Sequence, residues 1–467
     1  MISRRSLIAA VTGGVSIPVW TAKAAPVASP DTLEGFGAVG DGRSDDTAAI
    51  NRACRASAVS GRLVLGRPGA IYKVSASGRK AFLSPGGNTY QAAFAVEVPN
   101  GAAIDFRGAT IAPTGQTIAI CNGTSDGSGS DKISIAGLVI DAGAAQGMTA
   151  IFVSCAGASF ADIKIVRSSE NAICFAALKE CSIDRISVDS AVGNGITLGG
   201  NVAWQLSDCR IGILAGTNIR SLGTVHQPGN PFLIGARNST IKSLSATNCG
   251  GGIKFAPNCH SLQCGSVLFD GIGGIRGRFG TQNSGLKIQG DDAGSVASDI
   301  AFETVTVQNA TGAGIFLKYA ENISIGTYIG RNNGLIPNDA DVACEAGASI
   351  HIQRALIDAP LQRALFLNRN AGRVVIDTFR VNPVSNAGLH MAATFSRGPN
   401  GGPPGQGLDT IVAQGGMLDI GEANIGTAPR ASLRMVNGAD RGTHINIRRL
   451  LSDSSSTPQK FQANADN

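Results

Sequence analysis

Three lysines sit in short glycine-led segments of matching pattern: Gly252-Ile253-Lys254-Phe255, Gly285-Leu286-Lys287-Ile288-Gln289 and Gly314-Ile315-Phe316-Leu317-Lys318. In a strand, successive side chains point to opposite faces. If Ile253, Phe255, Leu286 and Ile288 face a core, then Lys254, Lys287, Gln289, Phe316 and Lys318 share the outer face. Strands stacked about 4.8 Å apart would merge these five into one patch. Stacked ammonium groups repel each other unless an anion binds them. The central one, Lys287, would have its protonated form disfavoured by two cationic neighbours, which suits an amine for proton abstraction. The plainer alternative, solvated lysines on an exposed sheet, stays open at this point.

Two long connections add candidates. The stretch Gly271–Gly280 carries Arg276 and Arg278 just ahead of the Lys287 segment, and guanidinium forks suit a carboxylate. A second long stretch presents His226 ahead of Phe232–Ile234, as a further substrate-binding candidate. The acids Asp291 and Asp292 follow Gln289-Gly290 and are read either as turn residues, as a hydrolytic carboxylate pair with Asp270 nearby, or as ligands of a Ca²⁺ ion. No cofactor is otherwise called for, and no metal-binding constellation is assigned. His260, His351, His390 and His444 have no reactive neighbours in sequence and are read as structural. The ten cysteines lack C-x-x-C spacing and read as small buried apolar groups, with a Cys259–Cys264 pairing left open.

These residues need a rigid repetitive scaffold, and the composition supplies one. Glycine is 62 of 467 residues, aromatics are 5% and apolar residues 43%. That balance disfavours a helical protein, in which each interior glycine costs roughly 1 kcal/mol. It also excludes disorder, because so large an apolar fraction can form a core. Apolar triplets recur: Ile135, Leu138, Ile140; Ile183, Ile186, Val188; Ile300, Val305, Val307; Ile323, Ile325, Ile329. Equivalent isoleucines are read from Ile163 to Ile183, Ile300 to Ile323, Ile323 to Ile352 and Ile352 to Ile376, roughly 20 to 29 residues apart, a solenoid spacing. The leucine-rich consensus is missing, so the predicted fold class is all-β: a right-handed parallel β-helix. Asn171, Asn194, Asn283 and Asn309 are assigned to one repeated bend, where stacked amides would bond from coil to coil.

The segment Phe36-Gly-Ala-Val-Gly-Asp-Gly-Arg-Ser-Asp-Asp-Thr47 leads into an amphipathic stretch with Ile50, Ala53, Cys54 and Ala58 on one stripe. It predicts a helix over Asp46–Ala58, ended by Gly61, that caps the open end of the solenoid. This arrangement resembles the opening of the pectin-lyase-like superfamily, which holds polygalacturonases, rhamnogalacturonases and epimerase-like pectate lyases. The resemblance, with the repeats, spans about residues 33 to 430. It implies a parallel β-helix acting on polysaccharide, with structural roles for Asp41, Asp45 and Asp46. The polygalacturonase acid pair stands at the start of a strand, whereas Asp291 and Asp292 follow one, and Asn283 and Ser284 occupy the comparable place. The His-Gly and Arg-x-Lys elements of that family do not follow, and Arg331-Asn-Asn-Gly does not match them.

Residues 1–24 read as an export signal: Arg4 and Arg5, an apolar run from Leu7 to about Trp20, and Ala22-Lys23-Ala24 as a cleavage site. The twin arginines favour the twin-arginine route over Sec, and the expected location is periplasmic or secreted. Loss of Arg4, Arg5 and Lys23 takes the net charge from +6 to about +3, too little to imply a nucleic-acid partner. No segment is long enough for a membrane span. The remaining boundaries are a linker over 25–35, one β-helix domain over 36–450 and a disordered tail over 451–467. A monomer is expected. The function expected from all this is processing of an acidic, uronate-containing polysaccharide by β-elimination. The alternatives are a glycoside hydrolase and a non-catalytic carbohydrate-binding or surface β-helix.

Overall fold

The computed structural model describes residues 31–464 except 84–88, 123–131, 144–148, 201–205, 221–228, 258, 273–283, 335–339, 359, 361–362, 369, 383–410, 414–415, 425–432, 436–443 and 453–454. The chain winds as a right-handed parallel β-solenoid of about eleven turns. Each full coil holds a short strand, such as Ile173–Lys179 or Ile315–Lys318, followed by a longer bent one, such as Ser182–Asp189 or Ala320–Arg331. Like strands of successive coils pair in parallel.

The inward positions stack into apolar ladders. One runs through Ile135, Phe160, Ile183, Ile211, Ile241, Cys264, Phe302, Ile325 and Ile352, each paired with the next. A second follows Leu138, Ile163, Ile186, Leu214, Leu244, Val267, Val305, Tyr328 and Ala355. All are buried, and each large aliphatic contributes roughly 1.5–3 kcal/mol on burial. The register refines the isoleucine spacing. Ile300–Ile323 and Ile352–Ile376 are true partners, but Ile163 pairs with Ile186 and Ile323 with Ile350. In the Ile323 coil the inward residue is Tyr328 rather than Ile329, because the bend there shifts the parity by one.

The asparagines divide into two stacks instead of one. Asn171 Oδ1 accepts the Asn194 N–H (3.0 Å) at the bend that leads into the short strands. Asn309 belongs to the bend that follows the long strands. There it donates to Asp270 Oδ1 (2.8 Å) and accepts from Asn332 Nδ2 (3.3 Å), and both asparagines have positive φ. Asp189, Asn218 and Asn248 form the same ladder higher in the stack. Asparagine tolerates the left-handed region better than most residues, so one residue type serves both the turn and the bonding between coils. Asn283 lies outside the described residues.

Both ends of the stack are covered. The predicted helix forms over Thr47–Ser60, with Gly61 closing it at φ 68°. Ile50, Ala53 and Cys54 pack into the core. Asp46 does not cap the helix; its carboxylate instead accepts the N–H groups of Val39 (2.6 Å) and Gly40 (3.0 Å), a structural role. The parallel stack starts earlier than residue 36, since Asp31–Thr32 pairs with Val64–Leu65. At the other end Ser455–Asn464, expected to be without regular structure, runs antiparallel to His444–Ser452 and satisfies its free edge. The ten cysteines are all buried free thiols, so Cys259 and Cys264 are not paired: Cys264 belongs to an interior ladder, while the Cys259 thiol donates to the Ile234 carbonyl.

Candidate functional site

The outer face of the short strands carries the candidate residues. Lys254 is paired with Lys287, Lys287 with Phe316, Phe316 with Ala343, and Ala343 with Phe366. Gln289 stands beside Lys318 one position further along. The structure thus brings Lys254, Lys287, Gln289, Phe316 and Lys318 together on one face, as the alternation predicted.

The face is not the solvated surface that five polar and aromatic residues suggest. Lys287 and Phe316 are each only 3% exposed, and Lys254 is half-buried. Phe316 packs in an apolar cluster with Ala313, Ala340, Ala343 and Phe366. The Lys287 Nζ lies 5.6 Å from the centre of the Phe316 ring, a distance at which the ring face attracts a cation. Toward the start of the chain the same face is roofed by the hairpin Gly78–Leu83 and Thr89–Val98. Its Phe82 and Phe94 pack on Cys121, Phe152 and Cys174.

Burial sets the electrostatics. The Lys287 ammonium is pushed down to about 7, first by loss of solvation, then by the charge of Lys254, with Lys318 adding to it and Glu345 opposing. Neighbouring charge was the cause expected from the sequence; desolvation is the larger one. Lys254 is also lowered by burial, against the pull of Asp291. Lys318 is held by Glu345 at 3.3 Å and lies 5.6 Å from the Tyr319 ring. The face therefore offers one near-neutral amine between a cation and an aromatic ring, with an ion pair alongside.

The acids part company. Asp292 Oδ1 accepts the Gly294 N–H (2.8 Å) and its carbonyl accepts the Ser295 N–H, so Asp292 is a turn residue. Asp291 is exposed and acts on Lys254 through space. Asp270 belongs to the asparagine ladder. His260 bonds Ser298 Oγ (2.8 Å) and His351 meets Asp377 (3.0 Å), both away from the lysine column. Arg276, Arg278, His226 and His390 lie outside the described residues. Among the described residues, no three His, Cys, Asp or Glu side chains are grouped to hold a metal ion, and no helix is long and apolar enough to cross a membrane.

Glu345 was missed in the sequence, and the reason is local. Its coil reads Asp341-Val-Ala-Cys-Glu345, without the leading glycine that marked the other segments. Val342 pairs with Ile315, which puts Asp341 where the preceding coils have Gly314 and Gly285. The Asp341 side chain turns into the solenoid. Its Oδ1 accepts from the Tyr328 hydroxyl and from Asn333 Nδ2 (2.9 Å), and Asn333 also donates to the Val307 carbonyl (2.8 Å). A methyl group on Gly314 or Gly330 would overlap the Asp341 carboxylate and Tyr328 hydroxyl, so glycine at both places makes the room. Asp341 Oδ2 is buried with no hydrogen-bond partner among the described residues, and burial raises the acid to about 7.

No family model matches the sequence, and no curated protein matches it. Solved structures do. The chain is similar to the Agl-KA catalytic domain, with 13% identity, a TM-score of 0.46, and 92% of this chain on 69% of that one. It is similar to the A-module of the Azotobacter vinelandii mannuronan C-5 epimerase AlgE6, with 12% identity, a TM-score of 0.39, and 91% of this chain on 100% of that one. It is also similar to a mutant tailspike protein of E. coli bacteriophage HK620 in complex with a pentasaccharide, with 11% identity, a TM-score of 0.46, and 87% of this chain on 72% of that one. Likenesses this distant carry no argument about what the chain binds, and the functional reading rests on the lysine column.

Proposed function

We propose that the protein is an exported enzyme that cleaves an acidic, uronate-containing polysaccharide by β-elimination on the Lys254–Lys287–Phe316 face. One observation carries the reading: Lys287, 3% exposed between a lysine and a phenylalanine, has its ammonium pushed down to about 7. A lysine so placed is largely a neutral amine just above neutrality, and a general base works best with a pKa near the operating pH.

In the proposed reaction the Lys287 amine takes the proton from C5 of a uronate. The electron pair forms the C4–C5 double bond and the C4–O bond breaks, and the proton passes from Lys287 to the departing oxygen or to solvent. The carboxylate next to C5 must be neutralised for that proton to become acidic. Lys254, the in-register neighbour, supplies the charge. Arg276 and Arg278 are further candidates for that role from their place in the sequence. Phe316, buried with Ala340, Ala343 and Phe366, backs the amine with an apolar wall that keeps it desolvated.

The test is a panel of acidic polysaccharides read for unsaturated uronate ends and, separately, for new reducing ends. Unsaturated ends that vanish in Lys287→Ala, with binding retained within a few-fold, support elimination. Reducing ends without unsaturation, dependent on Asp291 or Glu345 rather than Lys287, would replace it with hydrolysis. No product from any glycan, with salt-sensitive binding, would leave a binding protein.

A further inference from the structure

We propose that Cys181 and Cys209 are a redox site, forming a disulfide that staples two consecutive coils. The proposal is independent of the glycan reading. Ser159, Ser182, Arg210 and Thr240 pair in register, so the residues one place earlier form a column: Ala158, Cys181, Cys209, Ser239. In this column each side chain leans toward the preceding coil. The Ala158 N–H donates to Cys181 Sγ (3.4 Å), and the Cys209 N–H donates to Ser239 Oγ (3.0 Å). The Cys209 thiol likewise reaches back to the Leu178 carbonyl (3.8 Å) on the coil that leads into Cys181, so its sulfur leans toward the neighbouring cysteine. Adjacent coils lie about 4.8 Å apart, within the roughly 4.4–6.8 Å Cα separation that a disulfide spans.

The Cys181 thiol donates to the Cys155 carbonyl (3.7 Å) of the coil before, but Cys155 comes from a different strand position, in register with Leu178. The register match therefore selects Cys209 as the partner. The three sulfurs are not grouped to hold a metal ion. Both cysteines are only 2% exposed, so oxidation takes place while the coil is open, during winding or local unfolding. With oxidised glutathione as the oxidant, a Cys181 or Cys209 thiolate attacks its S–S bond and releases one glutathione thiol. The second protein thiolate then attacks the mixed disulfide and releases the other. Two protein thiols lose two protons and two electrons, and one glutathione disulfide becomes two thiols.

The experiment refolds the full chain with and without oxidised glutathione, alkylates the remaining thiols and maps tryptic peptides. Each of the three sulfurs falls in its own peptide: Cys181 in Glu180–Arg185, Cys209 in Ile186–Arg210 and Cys155 in Ile133–Lys164. The expected result is a linked Glu180–Arg185/Ile186–Arg210 pair, two fewer titratable thiols, and slower unfolding in denaturant than the reduced protein. In Cys209→Ser the link and the gain both disappear. That variant keeps an acceptor, because the Ser239 hydroxyl already accepts the equivalent N–H in the next coil. If the chain does not refold, folded protein held in oxidised glutathione at sub-denaturing urea is mapped the same way. Alkylated Cys181 and Cys209 in the oxidised sample, a Cys155–Cys181 link, or equal stabilisation of Cys209→Ser would overturn the proposal.

Discussion

The Asp341→Asn substitution gives the most quantitative check on the interior. Asp341 has an ordinary value of 3.8 and is raised to about 7 by burial, with the charge of Asp358 adding to the shift and the Tyr328 and Asn333 bonds opposing it. The folded state thus holds a proton that the unfolded state has already released. A raised acid is most favourable to folding below 3.8, and its contribution falls steadily as pH rises until it levels off above about 7. Each pKa unit is worth about 1.4 kcal/mol, so between about pH 5 and pH 8 Asp341 alone should cost the wild type about 2–3 kcal/mol. Asparagine has the shape of the protonated acid and keeps an oxygen for Tyr328 and Asn333, but it does not titrate. Urea unfolding of both proteins at the two pH values isolates the effect, because Lys287 and the surface groups titrate in both. The variant's stability relative to wild type should rise by that 2–3 kcal/mol on going to the higher pH. An unchanged difference between the two proteins would refute the assignment of a buried, protonated Asp341.

Two further outcomes are expected. The rising limb of kcat/KM with pH should move to higher pH in Lys254→Met and to lower pH in Glu345→Gln, because Lys254 lowers and Glu345 raises the Lys287 value. Gly330→Ala should destabilise by roughly 1–3 kcal/mol, measured by urea unfolding, since its methyl group would displace the Asp341 carboxylate from Tyr328.

The repeat, the parity of the strands and the capping helix were legible because each rests on local periodicity: inward aliphatics, glycine at tight bends and an apolar stripe that Gly61 ends. Lys254, Lys287 and Phe316 could be aligned from the sequence for the same reason. Their burial could not, since it depends on packing across coils, as in the cluster of Phe316 with Ala313, Ala340, Ala343 and Phe366. Tyr328, Gly330 and Asp341 broke the pattern together. A tyrosine stood in an aliphatic ladder, a glycine replaced an inward apolar residue, and an acid stood where glycine was expected. Each looks like noise alone, and only the fold shows that they compensate one another. Glu345 was hidden by the same exchange.

The two covered ends of the stack have a consequence for the protein as a material. A parallel solenoid is a short piece of a fibre, because every coil presents the backbone groups that the next coil would use, and nothing in the repeat itself fixes the number of coils. Here the helix Thr47–Ser60 and the reversed strand Ser455–Asn464 act as chain terminators. An antiparallel strand ends the series, since it breaks the register in which another parallel coil would add. Cutting that strand away would uncover the edge of His444–Ser452, and two copies would then pair tip to tip, the helix Thr47–Ser60 still closing the far end of each.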